Sequence, residues 1–175
     1  MTENLPLELS HQPAAPLEPE ELRQVMRQWT TGVAVVTARS AGEQHGMTVS
    51  SFTSISLDPP LIAISLAQNA RTHRLVANSG QFAVTILSAD QQDLSERFAG
   101  RTSDAEDRFD GLAYFELVSG APLIPGGLAW LDCRVAAQLQ AGNNTVFLGE
   151  VLAVKNGPGG SPLLYYDRNY QQLCD

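Results

Sequence analysis

Hydroxyl side chains crowd one short stretch of the chain, HGMTVSSFTSISLDPPL, which runs from His45 to Leu61. Six of them fall within nine positions, and these are Thr48, Ser50, Ser51, Thr53, Ser54 and Ser56. Each serine or threonine supplies one hydrogen-bond donor and two acceptor lone pairs in a small volume. The stretch therefore forms a solvated loop, a strand with one wet face, or a cradle for a polar ligand. Of these, the cradle alone would bear on function.

Apolar and hydroxyl side chains alternate along this stretch until Phe52 reverses the pattern. The apolar positions are Met47, Val49, Ile55 and Leu57. Alternation with a break in the middle predicts two strand segments joined by a bulge or bend. The two prolines of Asp58-Pro59-Pro60 cannot donate to a ladder, so we expect the strand pairing to stop there.

Residue patterns typical of other catalytic sites are absent from the sequence. No GxSxG nucleophile motif surrounds Ser50 or Ser51. The histidines have no spacing typical of a zinc site, and they are His11, His45 and His73. We therefore assign no catalytic side chain and no metal ligand, and we expect a bound cofactor to carry any difficult chemistry.

The composition excludes several classes of protein. With a net charge of −8, and one lysine against ten arginines, the chain lacks the cationic excess that nucleic-acid binding requires. No apolar run approaches the roughly 20 residues of a membrane-spanning helix, and no secretion signal is recognisable. Cys133 and Cys174 form neither a disulfide framework nor a metal motif. We expect a cytoplasmic protein with no membrane partner.

The first part of the chain divides into an arm and a helix. Residues 1–17 are rich in proline and glutamate without periodicity, which predicts a disordered or loosely attached arm before a single domain at 18–175. Pro19 suits the first position of a helix, and Gly32 marks the end of that helix. Apolar residues recur at helical spacing in between, which predicts a packing stripe formed by Leu22, Val25, Met26 and Trp29.

Short β-like runs dominate the rest of the chain. We predict strands at 33–38, 61–66, 81–88, 128–140, 145–154 and 162–170. Helices are predicted at 90–100 and at 69–80, the second capped by Asn69 and closed by Gly80. Several connections are too short for crossover helices, which favours an antiparallel barrel or sandwich. No Rossmann glycine fingerprint and no P-loop are present.

A series of motifs in order resembles the short-chain flavin reductase family. The motifs are TTGVAVVTA, HGMTVSSFTSISLDPPL, RTHRLVANSGQFAVTIL, DLSERFAGR, DRFDG, LAWLDCRV, FLGEV and PLLYYDRNY, and they cover about residues 19–170. The resemblance implies a mainly β fold with short helices, an antiparallel Greek-key split β-barrel of the FMN-binding type. It also implies a homodimer that binds FMN or FAD, takes hydride from NADH or NADPH, and supplies reduced flavin to a partner monooxygenase.

The same resemblance implies roles for individual residues. The segment that wraps the isoalloxazine ring and ribityl chain comprises Thr48, Val49, Ser50, Ser51, Phe52, Thr53 and Ser54. Within it, Phe52 is expected near the dimethylbenzene edge. Arg71 and Thr72 match an element that resembles a phosphate contact, and an arginine fork with a hydroxyl at a helix start suits a phosphate. The alternative for Arg71 is a surface cation at a helix terminus.

The chain departs from the family pattern at Gly142-Asn143-Asn144, where many members carry Gly-Asp-His. Asn144 can donate a hydrogen bond to a nicotinamide but cannot titrate. Arg168 and Tyr170 lie in a segment that resembles the nucleotide-side motif of the family. Two other functions therefore stay open: a flavin-binding electron carrier or sensor without nicotinamide turnover, and a small β-barrel interaction protein.

Overall fold

The computed structural model describes residues 4–6, 17–100 and 107–173. Three α-helices occur among these residues, and they are α1 (Pro19–Met26), α2 (Arg71–Ser79) and α3 (Gln92–Phe98). The strands are β1 (Asn4–Pro6), β2 (Thr31–Gly32), β3 (Ala34–Ser40), β4 (Glu43–Val49), β5 (Thr53–Leu57), β6 (Pro60–Ala67), β7 (Gln81–Ile86), β8 (Ala129–Ala141), β9 (Asn144–Asn156), β10 (Leu164–Tyr166) and β11 (Asn169–Gln171). The arm expected at 1–17 lies largely outside the described residues, as do His11 and Cys174.

The large sheet has the strand order β4-β3-β7-β8-β9-β6-β5, and every neighbour along this path is antiparallel. Strand β1 pairs with β8 in parallel, off the main path. A small second sheet has the order β11-β10-β2. The long β8–β9 hairpin, with 13 residues in each strand, forms the centre of the large sheet.

A short connection forces the large sheet to curl into a barrel. Strands β4 and β5 lie at opposite ends of the sheet path, yet only residues 50–52 separate them in the chain. Four Cα–Cα steps span at most roughly 14 Å, so the two edges must approach each other. An antiparallel sheet whose two edges meet without a full ladder is the split barrel expected from the sequence.

The barrel interior is filled by apolar side chains from every long strand. Val36, Ile64, Phe82 and Phe147 are fully buried there, and α2 closes one end with Leu75 and Val76. A second cluster packs α3 against the outside of β3, through Val35, Leu87 and Phe98. Burial on both faces of β3 matches its run of β-branched residues.

Helix α1 does not pack against the barrel, which contradicts the prediction of a packing stripe. None of its residues is buried, and it ends at Met26 rather than near Gly32. The exposed fractions are 52% for Leu22, 67% for Val25, 53% for Met26 and 68% for Trp29. Helical spacing predicts that these side chains share one face, but it does not predict that this face meets the same chain.

Three local predictions differ from the structure. The N-cap of α2 is Ala70 rather than Asn69, without a side-chain cap, although Gly80 closes the helix at φ 66° as predicted. Pro60 starts β6 and pairs with Leu57, because a proline at the first residue of a strand removes no ladder bond. The segment 162–170 holds β10 and part of β11, which form a hairpin, rather than one strand.

Within the described parts of the chain, no helix is long and apolar enough to cross a membrane. The same residues contain no group of three or more His, Cys, Asp or Glu side chains placed to hold a metal ion.

We predict that Gly149→Ala destabilises the barrel. A Cβ at Gly149 on β9 would lie 2.8 Å from Cε1 of Phe82, whose ring is fully buried, and 3.2 Å from Cβ of Cys133. Overpacking of this kind lowers the free energy of unfolding by about 1–3 kcal/mol. Urea denaturation measures the change, with Gly32→Ala as the control because a Cβ added there would meet no atom within 4 Å. Equal stability of the two variants would contradict this account of the core.

Candidate functional site

Three clefts meet at Ser50, which follows the end of β4. The α1 cleft, about 470 Å³, runs between α1 and the β10–β11 turn. The strand cleft, about 420 Å³, follows residues 29–34 beside residues 50–53. The tyrosine cleft, about 190 Å³, lies between β4, α3 and Tyr170. Ser50 lines all three, and its side chain is exposed.

The chain at 50–52 is held from both sides. Val49 is 7% exposed, and Phe52 packs against the barrel core, so both neighbours of the Ser50–Ser51 pair anchor it. The Ser51 hydroxyl donates to the Ser65 carbonyl at 2.9 Å and accepts from the Ser65 N–H at 3.2 Å. Ser51 thus lies opposite Ser65 and extends the contact between the β5 side of the connection and β6 through its side chain.

Hydroxyl groups from three elements converge in the tyrosine cleft. The Thr48 hydroxyl on β4 donates to the Ser95 carbonyl on α3 at 2.7 Å. The Ser95 hydroxyl lies 2.9 Å from the Tyr170 hydroxyl. The Tyr170 ring packs edge-on against Tyr165, with centroids 5.4 Å apart. This network orients two aromatic rings and leaves the cleft polar along one wall.

The α1 cleft is closed on one side by the hairpin of β10 and β11. The Asp167 N–H donates to the Arg27 carbonyl just after α1 at 3.2 Å, and the Tyr166 hydroxyl donates to Gln28 Oε1 at 3.1 Å. These contacts fix the hairpin turn, which carries Arg168, beside the helix. The exposed ring of Trp29 lines both this cleft and the strand cleft.

Most residues predicted for the site line these clefts. Eight of the twelve do so, and they are Thr48, Val49, Ser50, Ser51, Phe52, Thr53, Arg168 and Tyr170. Ser54 is the next residue of β5 and is exposed, but it lines none of the three clefts.

Arg71 lies in a different concavity. Its Nε donates to Glu43 Oε1 at 2.6 Å, and Arg74 contacts the same oxygen at 2.8 Å. The Arg71 hydrogen bond lowers the pKa of the exposed Glu43 carboxyl. Glu43 and Val49 are the two ends of β4, roughly 20 Å apart at the rise of a strand. The concavity that Arg71 lines shares no residue with the three clefts at Ser50.

Thr72 and Asn144 also lie apart from Ser50. Thr72 is fully buried and its hydroxyl lies 2.8 Å from His45 Nδ1, so protein surrounds the group expected to face a phosphate. Asn144 is exposed at the start of β9, where its carbonyl accepts from Gln68 Nε2 at 3.4 Å. His73 lies next to it in space, 2.9 Å from the Thr145 hydroxyl, and burial lowers the pKa of His73.

Sequence reasoning missed several residues that line the clefts, among them four with aromatic or charged side chains suited to a ligand. Trp29 was expected to pack inside the chain, and Arg23 and Arg27 carried no predicted role. Tyr165 carried none either, although it lies in the same C-terminal segment as Arg168. The spacing of Arg23 and Arg27, four residues apart, already indicated one helix face.

The family model of the flavin reductase like domain matches residues 26–174. This chain belongs to the flavin reductase-like family. The resemblance read from the motifs is thereby confirmed. The FMN reductase (NADH) SmoA of Agrobacterium fabrum is 43% identical over 143 residues, which cover 82% of this chain and 79% of that protein.

Two further relatives extend the comparison. The 4-hydroxyphenylacetate 3-monooxygenase reductase component of Thermus thermophilus is 34% identical over 154 residues, 88% of this chain and 96% of that one. The solved structure of the Streptomyces globisporus NADH:FAD oxidoreductase SgcE6, in complex with NAD and FAD fragments, is similar with a TM-score of 0.82. The two sequences are 34% identical, and the match covers 92% of this chain and 98% of the SgcE6 chain. The split-barrel prediction is confirmed at the level of the fold.

We predict that Ser51→Ala and Ser50→Ala differ in stability. Ser51→Ala removes both hydrogen bonds to the Ser65 backbone, and we expect a loss of about 1–2 kcal/mol in the free energy of unfolding. Ser50→Ala, the matched control, removes an exposed hydroxyl and should change it by less than about 0.5 kcal/mol. Equal losses, measured by urea denaturation without ligand, would show that the Ser51 hydroxyl does not stabilise the connection at 50–52 against β6.

Proposed function

We propose that this flavin reductase-like protein is an NAD(P)H-dependent flavin reductase. It transfers hydride from NADH or NADPH to FMN or FAD and supplies reduced flavin to a partner monooxygenase. The observation that carries the proposal is the meeting of three clefts at the exposed Ser50 hydroxyl in a split barrel of this family. Relatives named as an NADH-dependent FMN reductase and as a monooxygenase reductase component support it.

The residues at the clefts fit a flavin. An isoalloxazine ring presents carbonyls and ring nitrogens, and a ribityl chain presents hydroxyls, which Ser50 and Thr53 can bond as donors or acceptors. Trp29 and Tyr165 offer aromatic faces for a planar ring. The volumes of the α1 and strand clefts, about 470 and 420 Å³, lie within the range of cofactor sites.

The protein's part in the reaction is binding and alignment. A bound flavin supplies a ring that accepts hydride from a reduced nicotinamide. Residues 50–53 would contact the bound ring, and the Thr48–Ser95–Tyr170 network fixes the neighbouring aromatic wall. The transfer of hydride would require no proton from the protein, so the residues at the clefts would contribute proximity and orientation.

The remaining predicted contacts form the phosphate and nucleotide parts of the proposal. The Glu43 ion pair engages Arg71 through Nε, and the side chain stays 38% exposed, which leaves guanidinium surface for a phosphate. Thr72 supports this position from inside through its bond to His45. Asn144, Arg168 and Tyr170 are proposed contacts of the nicotinamide nucleotide.

The proposal includes a homodimer in the cytoplasm. Two apolar surfaces are exposed, one on α1 and the other on edge strand β5, where Ile55 is 52% and Leu57 90% exposed. Exposed apolar faces and unpaired edges of this kind are typical of interfaces, and isologous pairing would cover both. The buried free thiol of Cys133 suits a reducing compartment.

A flavin-binding electron carrier or sensor without nicotinamide turnover is the second candidate. Asn144 favours it, because its exposed amide stands where many family members carry a histidine. The two functions differ in one measurement. The reductase oxidises NADH or NADPH only when flavin is present, whereas the carrier binds flavin and leaves the nucleotides unchanged.

We predict that Ser50→Val raises the flavin dissociation constant about 10–100-fold, because a buried polar group of the ligand then loses its partner. Fluorescence titration measures the affinity, and the flavin-dependent loss of NADH absorbance measures turnover. The control is Ser161→Val on a loop that lines none of the three clefts. Unchanged flavin affinity in Ser50→Val would remove Ser50 from the site, and absence of flavin binding in the unaltered protein would overturn the function.

We predict that the protein sediments as a dimer and that Val25→Glu with Leu57→Glu shifts it to monomers at micromolar concentration. Both side chains are more than half exposed, so the charges should not disturb the monomer fold, but they would lie unpaired in a covered interface. Val118→Glu is the control, since Val118 is 66% exposed in the loop between α3 and β8. A monomeric unaltered protein would contradict the homodimer, and a dimer that survives both charges would move the interface elsewhere.

A further inference from the structure

The α1 cleft gathers three of the ten arginines of an acidic chain. Arg23 lies on α1, and Arg27 is the C-cap of this helix, about one turn later. Arg168 lines the same cleft from the β10–β11 turn. Asp167 is the one acidic residue among those that line the cleft in the described parts of the chain. A local excess of positive charge in a protein of net charge −8 indicates a place for an anion.

The three guanidinium groups are incompletely neutralised. Arg23 and Arg27 share one carboxylate, that of Glu20, at 3.2 and 2.9 Å. The Nε of Arg27 is buried and has no acceptor among the described residues. A buried N–H without a partner is costly, and a ligand oxygen would supply the missing acceptor.

The side chain of Arg168 is the least engaged of the three, because none of the hydrogen bonds or ion pairs between described residues involves it. Elsewhere in the described chain the arginines are engaged: Arg39 with Glu116, Arg71 and Arg74 with Glu43, and Arg134 with Glu150.

The backbone at Arg168 also argues for a function. Asp167 and Arg168 have φ values of 43° and 64°, and they are the two central residues of the hairpin turn between Tyr166 and Asn169. Such a turn favours Asn-Gly or Asp-Gly, because glycine alone adopts left-handed φ without a steric penalty. An arginine here is less favourable for the fold than glycine, and strain of this kind concentrates at ligand sites.

We propose that Arg23, Arg27 and Arg168 bind the diphosphate of a dinucleotide in the α1 cleft. FAD and the nicotinamide nucleotides both carry this group, and the proposal rests on the flavin reductase function. Guanidinium forks bond phosphate oxygens in bidentate pairs, and three of them match a group with several charged oxygens. Trp29 and Tyr165 line the same cleft and offer faces for an attached ring.

The first test compares ligands with and without the group. In Arg23→Gln with Arg27→Gln, we expect the FAD dissociation constant, the NADH KM, or both to rise about 10–100-fold. Riboflavin, which has no phosphate, should bind within about twofold of the unaltered protein, because no charge-assisted bond is lost. A change in FAD alone assigns the cleft to the flavin, and a change in NADH alone assigns it to the nicotinamide nucleotide.

Two controls separate charge from folding. Arg134→Gln removes an arginine that is 60% exposed and lines none of the three clefts at Ser50. The FAD dissociation constant and the NADH KM should therefore not change. Arg23→Lys with Arg27→Lys keeps the charge and loses the planar guanidinium fork, so the affinity for the dinucleotide should lie between those of the unaltered protein and the glutamine variant. The proposal would be overturned if the glutamine variant weakened riboflavin binding as strongly as FAD binding. It would also be overturned if neither the FAD dissociation constant nor the NADH KM changed. Absence of flavin-dependent oxidation of both NADH and NADPH in the unaltered protein would instead overturn the reductase function.

The second test uses Arg168→Gly, for which stability and binding should move in opposite directions. Glycine relieves the left-handed backbone, so the melting temperature of the protein without ligand should rise or stay the same. The FAD dissociation constant or the NADH KM should rise about tenfold or more, with riboflavin unaffected. A higher melting temperature with unchanged affinity for both dinucleotides would show that Arg168 does not bind the diphosphate.

Discussion

The three-residue connection between β4 and β5 is the constraint on which the rest of the structure depends. It joins the two ends of a seven-strand path, so the sheet can satisfy it only by curling until its edges approach. No ladder joins β4 to β5, and the connection between them is held on the β6 side, where the Ser51 hydroxyl bonds the Ser65 backbone. The barrel is therefore closed in outline and open at one seam.

The seam explains why hydroxyl side chains are concentrated there. Backbone groups at an unpaired edge need partners, and small side chains that both donate and accept supply them without filling the space. Ser51 serves the fold in this way, whereas Ser50 is exposed where the three clefts meet. One run of similar residues thus divides between a hydroxyl that bonds the fold and a hydroxyl that is exposed at the clefts.

The sequence predicted the features that depend on local chemistry. The break at Phe52, the glycine cap at Gly80 and most strands follow from alternation and turn residues, and they were correct. The packing-stripe prediction for α1 failed, because partners distant in the chain decide where an apolar face packs. Such partners also decide at which end of the sheet each site residue lies. The apolar face of α1 implies a partner surface without saying which, and only the path of β4 shows that Arg71 and Ser50 belong to different ends of a strand.

Helix α1 presents two different surfaces that follow from one amphipathic pattern. Its apolar side chains are exposed on the single chain, while Arg23 and Arg27 line the cleft that the β10–β11 turn completes. The helix is held by few contacts, among them the bond from the Asp167 N–H to the Arg27 carbonyl. Covering its apolar face with a second subunit would restrict its motion and so preorganise the arginines, because groups already ordered lose less entropy on binding a ligand. Subunit association and dinucleotide affinity would then be linked through this one helix.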